Sequence, residues 1–235
     1  MNVAVILAGG KGTRMGLEIP KQYYEVDGKP VISYSLYTFL MHEEIDAVQI
    51  TADEMWHEYI NQQLFGLPYN EKFRGFSMPG KNRQLSIYNA LLVIREYASE
   101  NDTVVIHDAA RPCVSAAQIS DCLKAAKGHD GALPALPMKD TAYLSENGKT
   151  VSSLLDRGKI YAGQAPETFA FGKYYEANRA LWPDKILRIN GSTEPAVMAG
   201  MDIAIILGDE RNFKITTEAD LERFREIVQR QRGRH

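Results

Sequence analysis

Five apolar residues, Val3-Ala4-Val5-Ile6-Leu7, run without a polar break into Ala8-Gly9-Gly10-Lys11-Gly12-Thr13-Arg14-Met15-Gly16, and Pro20-Lys21-Gln22-Tyr23 follows close behind. An apolar run that ends at once in glycines reads as a buried strand entering a turn. Glycine lets backbone N–H groups approach an anion closely. Arg14 and Lys21 add two cations within the same short span, and a polyphosphate is the guest such a loop suits. The spacing is not that of a P-loop. Nor is it a dinucleotide fingerprint, since no acidic residue for a ribose stands on the next strand.

The rest of the chain alternates between two periods. Thr103-Val104-Val105-Ile106 is a second β-branched run, expected as a central strand, and it ends in His107-Asp108-Ala109-Ala110-Arg111-Pro112. Further strands are expected at 47–51, 73–78, 131–136, 203–206 and 212–215. Helical spacing marks 30–39, 55–65, 85–97, 116–127, 173–181 and 218–230. Thr217 is placed to cap the last of these, with Glu218 and Asp220 in its first turn. Such alternation predicts an α/β chain with a mostly parallel sheet and helices on both faces. Ligands gather at the carboxyl ends of the strands in sheets of this kind. The glycine loop, Pro79-Gly80 and the turn at 107–112 all fall there. Residues 138–169 differ, with short alternations around Glu146-Asn147-Gly148-Lys149, and Asn-Gly is a hairpin signal. They are expected as an extended β arm outside the main sheet of a single domain spanning 1–235.

Composition narrows the function classes. With 45% hydrophobic and 24% charged residues over 235 positions, the chain can bury a core without staples. A net charge of −3 argues against a broad nucleic-acid or membrane surface, and no run approaches the ~18 apolar residues of a membrane span. Cys113 and Cys122 form no metal or disulfide pattern and are expected as small apolar residues in a reducing compartment. No signal peptide is evident, so a cytoplasmic location is expected.

Several residues have two readings on spacing alone. Asp108 is a helix cap, an ion-pair partner of Arg111, or a ligand of Mg²⁺, which needs only one or two protein carboxylates beside phosphate and water. Ser86 caps a turn or offers its hydroxyl to a base edge. Arg83 is a surface charge or a brace for the loop. Lys214 is an exposed lysine or a further cation for phosphates. His107 has no partner at ligand spacing and is expected to be structural.

Four stretches together resemble a known group. The segment at 7–16 with Pro20-Lys21-Gln22 is similar to the signature of the sugar and polyol nucleotidyltransferases. His107-Asp108-Ala109-Ala110-Arg111-Pro112, Gln164-Ala165-Pro166-Glu167-Thr168-Phe169 and Asn212-Phe213-Lys214-Ile215-Thr216-Thr217 resemble the cytidylyltransferases of 2-C-methyl-D-erythritol 4-phosphate and ribitol 5-phosphate. The resemblance runs in order along nearly the whole chain. It implies a Rossmann-like nucleotidyltransferase fold, CTP and a polyol phosphate as substrates, a CDP-polyol and pyrophosphate as products, Mg²⁺, and a homodimer clasped by the β arm.

On the same grounds, Arg14, Lys21 and Lys214 would act on the phosphates and Asp108 would bind Mg²⁺. Gly80 and Ser86 would recognise cytosine, with Ala8, Gly9, Gly10, Lys11, Gly12, Arg83 and Ala109 completing the nucleotide site. Arg111, Thr141 and Arg157 would hold the acceptor phosphate, partly across the dimer. Two other readings keep the fold: a non-catalytic CTP-binding module, and a transferase using another NTP and a sugar phosphate.

Leu7-Ala8-Gly9-Gly10 and Tyr161-Ala162-Gly163-Gln164 look more like the ribitol-phosphate enzymes, while the segment 107–113 looks more like the methylerythritol-phosphate enzymes. Three segments depart from the family pattern. Ala165-Pro166-Glu167 stands where Thr-Pro-Gln is usual. Asn190-Gly191-Ser192-Thr193-Glu194-Pro195 lies where Thr-Asp is usual, and Lys81-Asn82 where an acidic residue commonly precedes the arginine.

Overall fold

In the computed structural model, which describes residues 1–10 and 19–233, the opening apolar run is a strand whose side chains alternate between two cores. Along β1 (Asn2–Leu7), Ala4 and Ile6 face one helical layer, and Val3 and Val5 face the other. The first layer holds α1 (Val31–Met41), α2 (His57–Leu64) and α4 (Ala116–Ala126). The second holds α3 (Arg83–Ile94), α5 (Phe171–Arg179) and the short α6 (Glu194–Met198). A strand buried on both faces has no polar side to present, which is why its sequence shows no alternation.

β1 lies between β4 (Ala47–Thr51) and β6 (Thr103–Asp108), parallel to both, and β5 (Phe73–Ser77) extends the sheet beyond β4. Leu7 pairs with Thr51 on one side and Asp108 on the other, and Thr51 pairs with Ser77. Four strands therefore end level, and the loops that follow them share one rim. On the far side come β11 (Glu167–Ala170), β7 (Gly131–Pro137), β10 (Tyr161–Gly163) and β12 (Ile203–Leu207), completing an eight-stranded sheet. A small hairpin of β2 (Glu25–Val26) and β3 (Lys29–Pro30) leads into α1. The last helix, α7 (Glu218–Arg232), packs Leu221, Phe224 and Val228 on Val26 and Val31. It starts at the expected capping box of Thr217 and Asp220.

Two expectations are corrected. The arm is shorter than 138–169, because β10 and β11 belong to the main sheet. β11 runs antiparallel to β6, with Glu167 opposite Ile106. What protrudes is the hairpin of β8 (Tyr143–Leu144) and β9 (Ser153–Leu154), where the Asn147 side chain accepts from the Lys149 and Thr150 amides and Gly148 takes φ +68°. The reversal matters for function, since an antiparallel strand brings its first residue, Glu167, to the rim where β6 ends.

The second correction concerns 212–215, which is not a strand. Its one ladder-like bond joins the Ile215 amide to the Ala110 carbonyl at 2.9 Å. The segment is held instead by the fully buried Asn212, whose amide donates to Gln118 Oε1 at 2.8 Å and to the Ala165 carbonyl at 2.6 Å. Asn212→Ala would leave both acceptors buried without their donor, at about 1–3 kcal/mol each. Urea unfolding is expected to show a loss of roughly 2–4 kcal/mol; a change under 0.5 kcal/mol, within the ordinary range for a surface site, would refute this account of the segment.

Candidate active site

The loop after β1 is pinned from below by the motif that follows it. Gln22 donates from Nε2 to the carbonyls of Ala8 at 2.5 Å and Gly10 at 2.8 Å, and the Tyr23 hydroxyl donates to Ala8 at 3.0 Å. Tyr23 is itself stacked on Trp56 with ring centroids 4.0 Å apart. Lys21, one residue earlier in a single 3₁₀ turn, is thereby set at the edge of the cavity that Gly9 and Gly10 line. Gln22 and Tyr23 are organising residues that sequence reasoning passed over, although their adjacency to Lys21 was the available signal. Gly9 is required by packing, because a Cβ there would run into the ring of Pro79. Arg14, Lys11 and Gly12 lie outside the described residues.

A second wall is the turn into α3. The Ser86 hydroxyl accepts from the Gly80 amide and donates to the Asn82 carbonyl, both at 2.9 Å, so the turn-capping reading of Ser86 holds. A Cβ on Gly80 would collide with Leu85. Asn82 caps α3 through the Leu85 amide at 2.8 Å and ties it to the Ile186 carbonyl at 3.0 Å. The departure at Lys81-Asn82 thus supplies the N-cap of α3.

Asp108, at the end of β6, draws three cations together. Arg83 Nε donates to Oδ1 at 3.0 Å, Lys214 Nζ to Oδ2 at 3.0 Å, and Arg111 Nε lies 3.5 Å from Oδ2. Burial alone would raise the carboxyl pKa. The charges of Arg83, Lys214 and Arg111 outweigh burial and hold Asp108 well below the usual carboxylate range. Of its possible roles, the ion pair with Arg111 is present, as one of three. Arg83 is the brace rather than a surface charge. It reaches on to Ser192 Oγ at 2.5 Å and lies 3.5 Å from Glu167 Oε1.

These groups line two cavities that share a boundary. One, of about 810 Å³, is bounded by Gly9, Gly10, Lys21, Asp53, Gly80, Ser86, Asp108 and Lys214. The other, of about 310 Å³, is bounded by Arg111, Gln164, Glu167, Ser192 and Thr193. Arg83, Asp108 and Lys214 belong to both. Ala8 and Ala109 are buried beneath the rim and act through their backbone, the Ala109 amide donating to Leu7 at 3.1 Å. Thr141 and Arg157 are not brought to either cavity. Both are exposed on the arm, where Arg157 donates to the Lys139 carbonyl. Among the described residues, no group of three or more His, Cys, Asp or Glu is placed to hold a metal, and no helix is long and apolar enough to cross a membrane.

A cleft at the strand ends thus opens across a cationic junction into a smaller polar pocket, on a fold of the nucleotidyltransferase type. Residues 2–230 match the family model described as IspD: 2-C-methyl-D-erythritol 4-phosphate cytidylyltransferase. The chain belongs to this family, and it is a CTP-dependent cytidylyltransferase that acts on a polyol phosphate. It is 33% identical to the 2-C-methyl-D-erythritol 4-phosphate cytidylyltransferase of Clostridium beijerinckii over 93% of this chain and 94% of that one. It is also 33% identical to the ribitol-5-phosphate cytidylyltransferase of Vibrio parahaemolyticus over 98% and 97%. The structure of the Francisella tularensis 2-C-methyl-D-erythritol 4-phosphate cytidylyltransferase superposes with a TM-score of 0.79 at 28% identity, over 95% of this chain and 97% of that one.

His107, one residue before Asp108, is fully buried, with Nε2 3.1 Å from the Arg111 carbonyl. A carbonyl only accepts, so Nε2 carries the proton and the ring is neutral, as expected of a structural histidine. Burial pushes its pKa from 6.5 down to about 4. The unfolded chain takes up this proton near pH 6.5 and the folded chain only near 4. The stability contributed is therefore full above 6.5 and is lost as pH falls toward 4, by up to about 3 kcal/mol. The thermal midpoint is expected to fall more steeply over this window in the native chain than in His107→Gln; equal slopes would overturn the assignment.

Proposed function

We propose that the chain transfers CMP from CTP to D-ribitol 5-phosphate, with 2-C-methyl-D-erythritol 4-phosphate as second choice, forming a CDP-polyol and pyrophosphate. The observation that carries this reading is the meeting of the two cavities at Arg83, Asp108 and Lys214. A nucleotide in the larger cavity presents its phosphates where an acceptor in the smaller one presents its own. An acceptor phosphate oxygen forms a bond to the α-phosphorus as the bond to the pyrophosphate oxygen breaks, and pyrophosphate leaves with that electron pair. A phosphate monoester, with a second pKa of about 6, is already ionised near neutrality, so no general base is required. What the reaction needs is in-line placement and neutralisation of charge.

On this reading Arg14 and Lys21 hold the triphosphate, Lys214 joins them, and Arg111 meets the acceptor phosphate. Ser86 Oγ keeps one lone pair beyond the Gly80 bond, free to accept from the cytosine amine. Asp108 would hold Mg²⁺, for which one carboxylate suffices where phosphate and water complete the shell. The Asp108 oxygens now meet Arg83, Lys214 and Arg111, so Lys214 and Arg111 would turn to the phosphates as the ion enters with them. Bound there, the ion would neutralise phosphate charge. The preference for ribitol 5-phosphate is supported by Leu7-Ala8-Gly9-Gly10 and Tyr161-Ala162-Gly163-Gln164. It is supported also by the hydrogen-bonding wall of Gln164, Glu167, Asn190, Ser192 and Thr193, which suits the longer, unbranched row of hydroxyls better than a shorter one with a methyl branch.

A dimer completes the picture. Tyr143, Leu144, Val151, Leu154 and Tyr161 are exposed on and beside the arm, and an isolated two-stranded hairpin is marginal in water. Two copies clasped through their arms would cover this surface and carry Thr141 and Arg157 to each other's acceptor cavity.

Pyrophosphate release with Mg²⁺, with CTP, UTP and GTP each crossed against ribitol 5-phosphate, 2-C-methyl-D-erythritol 4-phosphate and a hexose 1-phosphate, tests the reading. Release is expected with CTP and fastest with ribitol 5-phosphate. Release with UTP or GTP and the hexose phosphate would favour another transferase, and CTP binding with no release in any well would leave a binding module. Lys21→Ala is expected to lower kcat by about 10²–10³-fold; near-full activity would sink the mechanism.

A further inference from the structure

The two departures on the acceptor side touch each other. The Ser192 hydroxyl donates to Glu167 Oε1, and the Thr193 hydroxyl donates to Oε2 at 2.7 Å. Arg83 contacts the same pair from beneath, through Ser192 Oγ and Oε1. The wall is rigidly backed, since the Tyr174 hydroxyl donates to the Ser192 carbonyl at 2.7 Å, and Gln84 binds Tyr174 at 3.2 Å and Asn178 at 2.5 Å. All three backing side chains are buried. Glu167 is 8% exposed and lines the smaller cavity. A carboxylate has about four acceptor sites, and two hydroxyls and one guanidinium contact do not fill them.

We infer that Glu167, held by Ser192 and Thr193, is the specificity-determining residue that reads the hydroxyls of the acceptor. The inference rests on the acceptor reading given above. A buried carboxylate repels a phosphate and accepts hydrogen bonds from hydroxyls. The acceptor therefore lies with its polyol end on Glu167 and its phosphate toward Arg111, Lys214 and the α-phosphorus. This placement selects acceptors by the number and position of hydroxyls remote from the phosphate.

Initial rates of pyrophosphate release at saturating CTP, with ribitol 5-phosphate, 2-C-methyl-D-erythritol 4-phosphate and glycerol 3-phosphate, test it on the full chain. In Glu167→Gln, KM for the best acceptor is expected to rise about tenfold or more, the scale of one charge-assisted hydrogen bond. KM for CTP should stay within twofold, and the spread among the three acceptors should narrow. Thr193→Val, which removes one hydroxyl from Oε2 and keeps the carboxylate, should shift acceptor KM in the same direction by less. The double variant Glu167→Gln with Thr193→Asp keeps the charge and moves it across the wall; it should change the rank order of acceptors. Unchanged acceptor KM and rank order in Glu167→Gln, or an equal loss for CTP and acceptor, would overturn the inference alone. No release by the native chain with any polyol phosphate would overturn the functional reading along with it.

Discussion

Asp108 gathers charges from three separate parts of the chain. Arg83 comes from α3, Arg111 from the turn just beyond β6, and Lys214 from the segment before α7, 106 residues away. Each cation would be costly in a half-buried cleft without an anion beside it, and removing one member of such a cluster typically costs about 3–5 kcal/mol. The position of Asp108 follows in turn from strand register. Its pairing with Leu7 puts it level with the start of the glycine loop. Burial of β1 and β6 on both faces leaves that register no freedom to slip, because a shift of one residue would exchange the two cores.

Much of this was legible in the residues. The runs at 3–7 and 103–106 pointed to central strands because burial on both faces removes polar residues from them. Thr217 with Asp220 identified the start of α7 through a local bond. What was not legible depended on long-range partners. Glu167-Thr168-Phe169-Ala170 carries the same β signal whether it lies in an arm or in a sheet, and only its pairing with β6 decides. Residues 212–215 look like a strand by composition, yet their hydrogen bonds run from the Asn212 side chain to Gln118 and the Ala165 carbonyl and from the Ile215 amide to one carbonyl of the 107–112 turn. The candidate site was legible as a set of residue types. The three-way pairing at Asp108 was not, since spacing shows only the contact with Arg111.

The departures from the family pattern differ in physical weight. At Lys81-Asn82 the Asn82 side chain caps α3 and so holds the turn that carries Gly80 and Ser86. At Glu167 a carboxylate, where an amide is usual in the family pattern, stands beside Arg83 and is itself buried. Such a change alters both what the wall can bind and how Arg83 is balanced.

Glu167, Ser192 and Thr193 meet around Arg83. Arg83 spans two cavities, and one carboxylate, Asp108, is already shared with Arg111 and Lys214. A second anion near its outer nitrogens offsets the remaining charge. Here the facing residues are Ser192 and Thr193, and the anion comes from β11. Arg83 bonds Asp108 through Nε at 3.0 Å while its outer nitrogens meet Ser192 and Glu167. Glu167, Ser192 and Thr193 therefore form one bonded group on the outer side of Arg83, and a change in it is felt first in the smaller cavity, while the bond from Arg83 Nε to Asp108 is made on the other side.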